Sequence, residues 1–297
     1  MTENLSPNAF AGTDEERQLV ERAIPTEAPA APKRPRKLLV MSLNVRDGVP
    51  TSRGHKSIGY ANLAVELMGK RTCAYETVFN NDVSVFRPES LAEYDSICFN
   101  NTVGVLTEGP MLRQSLLDFV ANGKGLVGIH AAAATFVQYP VYDQFPQFGE
   151  MLGAYEDGGH PWKADETITL KVEDPASPIN AAFGGKSFEV KDEVFQFRRP
   201  YSRERLHVLL GIDTNRTDMD PARHFLPDRF ADKDFAMSWI RQHGKGRVFY
   251  SSLGHNPALF WDPKMLQHFL AGIQFALGDL QADATPSARR HQRGWDR

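Results

Sequence analysis

Four histidines of this chain stand where predicted strands end or loops begin. His130 follows the apolar run GLVGI, His255 lies in FYSSLGHNP, His160 lies in EDGGHPW, and His55 lies in SRGHKS. Glycine neighbours let the backbone of such loops approach a ligand closely, and loops carry functional side chains more often than core strands do. We therefore treat these four as candidate site residues. The other histidines are expected at the surface, namely His207, His224, His243, His268 and His291.

Two adjacent carboxylates, Asp192 and Glu193, precede the aromatic run VFQF. Neighbouring side chains of an extended chain point to opposite faces, so one carboxylate is expected in the site and the other in solvent. Neutral imidazoles and a carboxylate suit a divalent metal such as zinc. Without a metal, the same groups can act as general base and acid. The spacing does not choose between these chemistries, because the groups come from distant segments.

The elements that must position these residues change in character along the chain. Apolar runs in the first half (KLLVMSLN, YETVFN, YDSICFN, GLVGIH) include pairs separated by predicted helices near residues 57–69 and 111–122. This pattern predicts a parallel sheet covered on both faces. The second half has strands with short connections and a closing helix over residues 263–277, which predicts an antiparallel extension. Ligands of open α/β sheets lie at the carboxyl ends of the parallel strands.

The length of 297 residues and the hydrophobic content of 41% favour one large α/β domain over residues 37–280. Residues 1–36 are rich in Pro and Ala and are interpreted as an N-terminal arm or linker, and residues 281–297 as a C-terminal tail. Two readings of the arm stay open. It is a disordered tail, or it is a strap on a neighbouring subunit, which would make the protein a homo-oligomer.

Composition argues against several classes of protein. The formal net charge is −3 and the basic residues are scattered except at residues 33–37, so no nucleic-acid partner is expected. The chain has two cysteines, Cys73 and Cys98, which is too few for a disulfide framework or a thiolate zinc site. It has no uncharged apolar stretch of about 18 residues, so no membrane association is expected. We expect a cytoplasmic protein.

Sequence blocks across residues 37–278 resemble the ThuA-like family, the trehalose-utilisation proteins. The blocks are GLVGIHAA, YPVYDQFPQFGEMLGA, GGHPW, EDPASPIN, DEVFQF, HVLLGID and HGKGRVFYSSLGHNP. The resemblance implies a flavodoxin-like three-layer sandwich of the class I glutamine amidotransferase type. In that superfamily the strand that ends here at His130 carries a cysteine nucleophile, and the strand that ends at His255 carries the histidine that activates it. Histidine at the nucleophile position, and Pro257 in place of a carboxylate, imply that glutamine amidotransferase activity is absent.

The resemblance also implies a substrate class, because the family is linked to disaccharides and their 3-keto products. A 3-keto sugar has an acidic hydrogen next to its carbonyl, so acid/base or metal-assisted isomerisation, elimination or hydrolysis is expected. The expected catalytic residues are His130, His255 and Glu193, and the expected metal ligands are His55, His130 and His160. No nucleotide cofactor is expected. Two alternatives stay open: a non-catalytic sugar-binding or regulatory module, and a hydrolase of amides or esters that uses activated water.

Seven further residues lie beside the predicted strand ends and loops and are expected to bind the sugar. Asparagine and arginine side chains after the first and third strands are candidates for binding hydroxyl groups, and aromatic rings near the loops are candidates for packing on a pyranose ring. The set consists of Asn44, Arg46, Asn100, Asn101, Phe136, Trp162 and Trp261.

Overall fold

The computed structural model describes residues 9–139 and 144–288. Residues 1–8, 140–143 and 289–297 lie outside the described part of the chain, and so does His291. The strands are β1 (Lys37–Met41), β2 (Asn44–Arg46), β3 (Val49–Thr51), β4 (Glu76–Phe79), β5 (Ser96–Asn100), β6 (Gly125–Ile129), β7 (Tyr155–Glu156), β8 (Thr167–Val172), β9 (Phe188–Lys191), β10 (Phe197–Arg198), β11 (His207–Ile212), β12 (Ala236–His243) and β13 (Gly246–Ser251). The α-helices are α1 (Asp14–Ala23), α2 (Ile58–Thr72), α3 (Pro88–Leu91), α4 (Pro110–Ala121), α5 (Pro146–Leu152), α6 (Pro227–Asp232) and α7 (Pro263–Leu277).

Nine strands of the described chain form one sheet in the order β4-β1-β5-β6-β13-β12-β11-β8-β9. From β4 to β13 all neighbours pair in parallel, and from β13 to β9 all neighbours pair antiparallel. The predicted mixed sheet with an antiparallel extension is therefore confirmed. Strands β5 and β6 are buried along their whole length, because an internal parallel strand meets helices on both faces.

Two glycines of β6 show the layers on either side of the sheet. A Cβ on Gly125 would meet the Ala276 carbonyl of α7, whereas a Cβ on Gly128 would meet the Leu152 side chain of α5. These glycines are three residues apart on one strand, so they face opposite sides. Helix α7 therefore covers one face and α5 covers the other, which confirms the predicted flavodoxin-like three-layer sandwich.

The described part of the N-terminal segment, residues 9–36, packs on its own chain. Thr13 and Glu16 form a capping box at the start of α1, and the Glu16 carboxylate also accepts a hydrogen bond of 2.8 Å from the Tyr60 hydroxyl of α2. Further along, the Ala30 backbone bonds to the Gln274 side chain of α7. Two arginines of the basic stretch at residues 33–37 form ion pairs within the chain, Arg36 with Asp279 and Arg34 with Asp95. Among residues 9–139 and 144–288, every helix falls short of what crossing a bilayer requires.

Two histidines expected at the surface are buried, so that prediction was wrong for them. His207 pairs with the Asp174 carboxylate at 2.9 Å, and His268 lies 3.0 Å from the Ser238 hydroxyl. Both rings also contact a backbone carbonyl through Nδ1, which satisfies their polar atoms inside the core. His207 and His268 have charged neighbours in the sequence, but these neighbours did not predict exposure. His207 is in β11, which lies inside the sheet, and His268 is on the face of α7 that is turned toward the sheet.

Candidate metal centre

Three histidines meet at the carboxyl edge of the parallel strands. His130 directly follows β6, and His255 follows β13, the neighbour of β6 in the sheet. His55 lies in the loop between the β2–β3 hairpin and α2, in the connection that leaves β1. The ring centroids are 4.9 Å apart for His55 and His130 and 5.1 Å apart for the other two pairs. The predicted meeting of distant imidazoles at one edge of the sheet is thus present.

Glu193 completes this group. Its Oε1 atom lies 3.3 Å from His255 Nδ1 and 3.9 Å from His130 Nε2. Each of His55, His130, Glu193 and His255 offers one nitrogen or oxygen atom, and these four atoms all lie within 4.8 Å of one another. Two or three imidazoles with one carboxylate form a ligand set typical of zinc.

The spacing of three of these atoms can be compared with what zinc requires. Bonds of about 2.05 Å in tetrahedral geometry place two ligand atoms about 3.3 Å apart. His130 Nε2 and His255 Nδ1 are 3.2 Å apart, and their distances to Glu193 Oε1 are 3.9 and 3.3 Å. The three side chains therefore fit a divalent cation of this size with small movements.

The backbone and the tautomer of His130 prepare it for this role. Its φ of 47° lies in the left-handed region, at the sharp turn where β6 ends. His130 Nδ1 lies 2.7 Å from the Ser252 carbonyl oxygen, to which it donates, so Nε2 keeps its lone pair and faces His255. Burial, and then the neighbouring His55, lower the pKa of His130 well below its usual value. The ring is neutral near pH 7, which is the form that binds a metal or accepts a proton.

His55 carries an unsatisfied polar atom. Its Nδ1 is buried and has no hydrogen-bond partner in the described chain. Burial, and then the charge of His255, lower the pKa of His55 to about 4, so this ring is also neutral near pH 7. A buried polar nitrogen without a partner is costly unless something binds it.

Asp192 does not remain in solvent, as the alternation of side chains had suggested, but is fully buried. Its Oδ2 accepts the backbone N–H groups of Gly254 at 2.7 Å and His255 at 3.3 Å, and its Oδ1 accepts that of Asn256 at 2.7 Å. The chain leaves regular strand geometry after β9, so alternation no longer applies. One carboxylate of the adjacent pair holds the His255 loop while Glu193 enters the group.

His160, expected as a metal ligand, lies outside the four-residue group. Its Nδ1 is 3.4 Å from Glu193 Oε1, and its Nε2 is 3.8 Å from Glu156 Oε1. Burial disfavours the charged ring, but the two carboxylates outweigh this and raise the pKa of His160 to about 10. Burial likewise opposes the charge of Glu193, and His160 and His255 hold the pKa of Glu193 well below its usual range. His160 therefore contacts Glu193, but it is not one of the four residues whose ligand atoms meet.

A cleft of about 520 Å³ adjoins the group. His55 and His255 line it, and so do two of the expected sugar-binding residues, Asn44 and Arg46. The cleft lies beyond the carboxyl ends of the strands, where ligands of open α/β sheets bind. A small molecule there has access to two rings of the group.

The other expected sugar-binding residues do not line this cleft. Asn100 and Asn101 are fully buried: Asn100 bonds to the Ile58 carbonyl and Asn62, and Asn101 bonds to Asn100. The rings of Phe136 and Trp162 are buried among other aromatic rings, Phe136 against Phe145 and Phe148, and Trp162 against Phe225 and Phe235. Trp261 packs edge-on against Tyr60 of α2. These aromatic residues contribute to packing. They lie near the site loops in the sequence, but this does not bring them into the site.

Three polar residues that support the site were not predicted in these roles. Asp192 holds the His255 loop, Glu156 pairs with His160, and the Asn256 amide donates to the carbonyls of Ala164 and Lys191. The EDGGH segment did contain a signal for Glu156, because it lies four residues before His160. The partners of Asp192 and Asn256 depend on segments about 60 or more residues apart in the chain, so no local pattern reveals them.

Comparison with known proteins agrees with this architecture. A family model described as trehalose utilisation, ThuA, matches residues 48–276. A ThuA-like protein structure from Bacteroides uniformis is 19% identical with a TM-score of 0.61 and covers 87% of this chain and 98% of its own. Another from Parabacteroides merdae is 16% identical with a TM-score of 0.58 and covers 84% of this chain and 93% of its own. No curated protein sequence matched the chain significantly. The chain belongs to the ThuA family of trehalose utilisation, which supports a role related to carbohydrate metabolism.

Proposed function

We propose that this protein is an enzyme that acts on a carbohydrate with the help of a divalent cation such as zinc. The observation that carries the proposal is the group His55, His130, Glu193 and His255, whose ligand atoms lie within 4.8 Å of one another beside an open cleft. Membership of the ThuA family supports the carbohydrate class of substrate. These residues suit a keto sugar, because a cation polarises its carbonyl oxygen and a neutral histidine accepts the proton from the neighbouring carbon.

The spacing of the ligand atoms suggests which side chains of the group bind the cation and which one transfers a proton. His130 Nε2, His255 Nδ1 and Glu193 Oε1 have the separations of tetrahedral ligands, and catalytic zinc sites commonly use three protein ligands. A cation bound there would polarise a carbonyl oxygen or lower the pKa of a water molecule.

His55 is the side chain of the group that remains for proton transfer. It is neutral, its Nδ1 has no partner in the described chain, and it lines the cleft. In the proposed reaction, His55 accepts the proton that a keto sugar loses from the carbon next to its carbonyl. His160 stays protonated and keeps Glu193 oriented toward His255. This division differs from the sequence-based expectation, in which His55 was only a ligand.

The first test is metal binding. Protein freed of metal by chelation is titrated with zinc, and we expect one equivalent to bind. His130→Ala, His255→Ala and Glu193→Gln should each weaken binding by about 100-fold or more, because each removes one of three ligands. His224→Ala is the matched control, since this histidine is exposed and distant in sequence from the group. Equal zinc affinity in all four variants would contradict the proposed site.

The second test is proton exchange. A 3-keto disaccharide is incubated with the zinc-loaded protein in D₂O, and NMR follows loss of the signal next to the carbonyl. We expect His55→Ala to abolish exchange while it retains zinc binding. If the loaded protein exchanges no proton but hydrolyses model esters or amides, the alternative hydrolase is correct. If it binds sugars and does neither, the non-catalytic alternative is correct.

We also propose the cytoplasm as the compartment. Cys73 and Cys98 both carry free thiols in the described structure. Reducing compartments keep such thiols free. Cell fractionation tests this expectation, and recovery of the protein outside the cytoplasm would contradict it.

A further inference from the structure

Two cations without ion-pair partners line the cleft beside the four-residue group. Arg46 comes from β2 and Lys56 comes from the loop before α2, and both are exposed. In residues 9–139 and 144–288 neither forms an ion pair, whereas more buried arginines such as Arg36 and Arg203 are paired with carboxylates. The remaining lining residues are neutral side chains and the two histidines: Asn44, Gly54, His55, Val103, His255, Asn256 and Pro257. The cleft is therefore lined by positive charge that no lining carboxylate offsets.

The start of α2 adds to this positive field. The helix has 15 residues, and its N-cap residue, Ser57, makes no side-chain capping bond. The first turn contains no acidic residue, and Lys56 stands just before the cap. A helix N-terminus carries partial positive charge and normally attracts an acidic side chain. A lysine at this end is unfavourable unless an anion compensates it.

An unsatisfied hydroxyl at the same helix end is a second, independent observation. The Ser57 side chain is fully buried, and its Oγ has no hydrogen-bond partner in the described chain. The adjacent loop residue His55 also has an unpartnered Nδ1. By contrast, the N-cap of α7, Asp262, accepts hydrogen bonds from the backbone of Lys264 and Met265. The Ser57 hydroxyl at the start of α2 is thus without a protein partner, unlike the side chain that caps α7.

The hairpin fixes the position of the other cation. Asp47 and Gly48 form its two-residue turn with φ values of 50° and 76°, which match the type I′ turn that suits a tight hairpin. Arg46 pairs with Val49 directly beside this turn. The backbone of Arg46 is therefore held at the cleft, and the planar guanidinium matches the two oxygens of a carboxylate or phosphate.

From these features we infer that the sugar bound by this cleft carries an oxyanion, a carboxylate or a phosphate, held by Arg46 and Lys56 beside the start of α2. The inference rests on the proposed function for the reacting part of the sugar, and it adds the class of substrate: a sugar acid or a sugar phosphate. The anion lies at the side of the cleft lined by Arg46 of the hairpin and Lys56 of the loop before α2. The group His55, His130, Glu193 and His255 then faces the reacting carbons.

Calorimetric binding of three probes tests the inference. Gluconate, glucose 6-phosphate and trehalose are titrated into zinc-loaded protein and into metal-free protein at low ionic strength. We expect one of the two anions to bind at least tenfold more tightly than trehalose in both forms, and to weaken as salt is added. The preferred anion identifies a carboxylate or a phosphate. Equal affinity for trehalose and both anions would overturn the inference.

Variants separate this inference from the proposed function. Arg46→Met and Lys56→Met should each weaken binding of the preferred anion about tenfold and change trehalose binding far less, because the neutral sugar has no charge for these cations to bind. Arg53→Met is the matched control, because this exposed arginine lies in the same loop but does not line the cleft. If Arg46→Met and Lys56→Met slow turnover without changing anion affinity, the two cations stabilise charge that develops in the reaction. The inference is then wrong. If zinc fails to bind but the anion still binds through Arg46 and Lys56, only the metal-assisted function fails.

Discussion

Replacing Asp192 by asparagine tests whether this buried carboxylate holds the metal-binding loop. The carboxylate accepts three backbone N–H groups of residues 254–256, with two distances of 2.7 Å and one of 3.3 Å. Asparagine keeps one acceptor oxygen, and its amide group turns a donor toward at least one of these N–H groups. The loss of a charge-assisted bond and the unpaired buried donor together should cost about 2–4 kcal/mol of the free energy of unfolding.

The loop that Asp192 holds carries His255, so zinc affinity should fall as well. Substitution of residues that orient metal ligands lowers metal affinity by about 10–100-fold. Urea unfolding of the metal-free protein and zinc titration, both at pH 8, give the two quantities. This pH lies above the pKa of Asp192, which burial raises to about 7, so the carboxylate of the parent protein is charged.

Asp262→Asn is the matched control for this substitution. Asp262 also accepts two backbone N–H groups, but it does so at the start of α7, where asparagine is an equally good cap. We expect the free energy of unfolding to change by less than about 0.5 kcal/mol and zinc affinity to stay the same. If Asp192→Asn and Asp262→Asn bind zinc equally well, Asp192 does not position His255 and the reasoning is refuted.

Three further predictions concern the site and the core. Gly254→Ala should destabilise the fold by about 1–3 kcal/mol and weaken zinc binding. Gly254 has a φ of 127°, and an added Cβ would lie 2.9 Å from Ile129 Cγ2. A thermal unfolding temperature and a zinc affinity equal to those of the parent protein would contradict this. Burial lowers the pKa of His268 from 6.5 to about 4, so the unfolded state takes up the proton first on acidification. The stabilisation should be complete above pH 6.5 and decrease by about 3 kcal/mol toward pH 4, relative to His268→Gln, and parallel urea-unfolding profiles would disprove it. A thiol reagent should label exposed Cys73 in the native protein and reach buried Cys98, whose pKa is raised by burial, only in denaturant; two fast native thiols would show that the core opens.

Local patterns predicted the elements whose burial is uniform. Strands β5 and β6 are apolar along their length because both of their faces are covered, and such runs can be recognised in the sequence. The carboxyl ends of parallel strands share one edge, so His130 and His255 were expected near each other before any coordinates. Their rings are 5.1 Å apart. The sequence thus predicted the edge of the sheet and two members of the group.

The remaining assignments depended on contacts that no local pattern contains. His160 was expected as a ligand, but it pairs with Glu156 and Glu193, which raise its pKa, and their position relative to its ring follows from the packing of three segments. Asp192 was expected in solvent, but the loop of His255 closes over it. Aromatic residues such as Trp162 stand near glycine-rich loops in the sequence, yet Trp162 is buried in the folded chain. Residue type and strand position indicated which side chains gather at the edge of the sheet better than they indicated the partner of each.

The most direct test of the metal centre is anomalous scattering at the zinc edge from crystals grown with one equivalent of zinc. The account predicts one strong peak about 2.0–2.2 Å from His130 Nε2, His255 Nδ1 and a Glu193 carboxylate oxygen, and no such peak in crystals of His130→Ala. A peak held by other side chains, or the same peak in the His130→Ala crystals, would contradict the account.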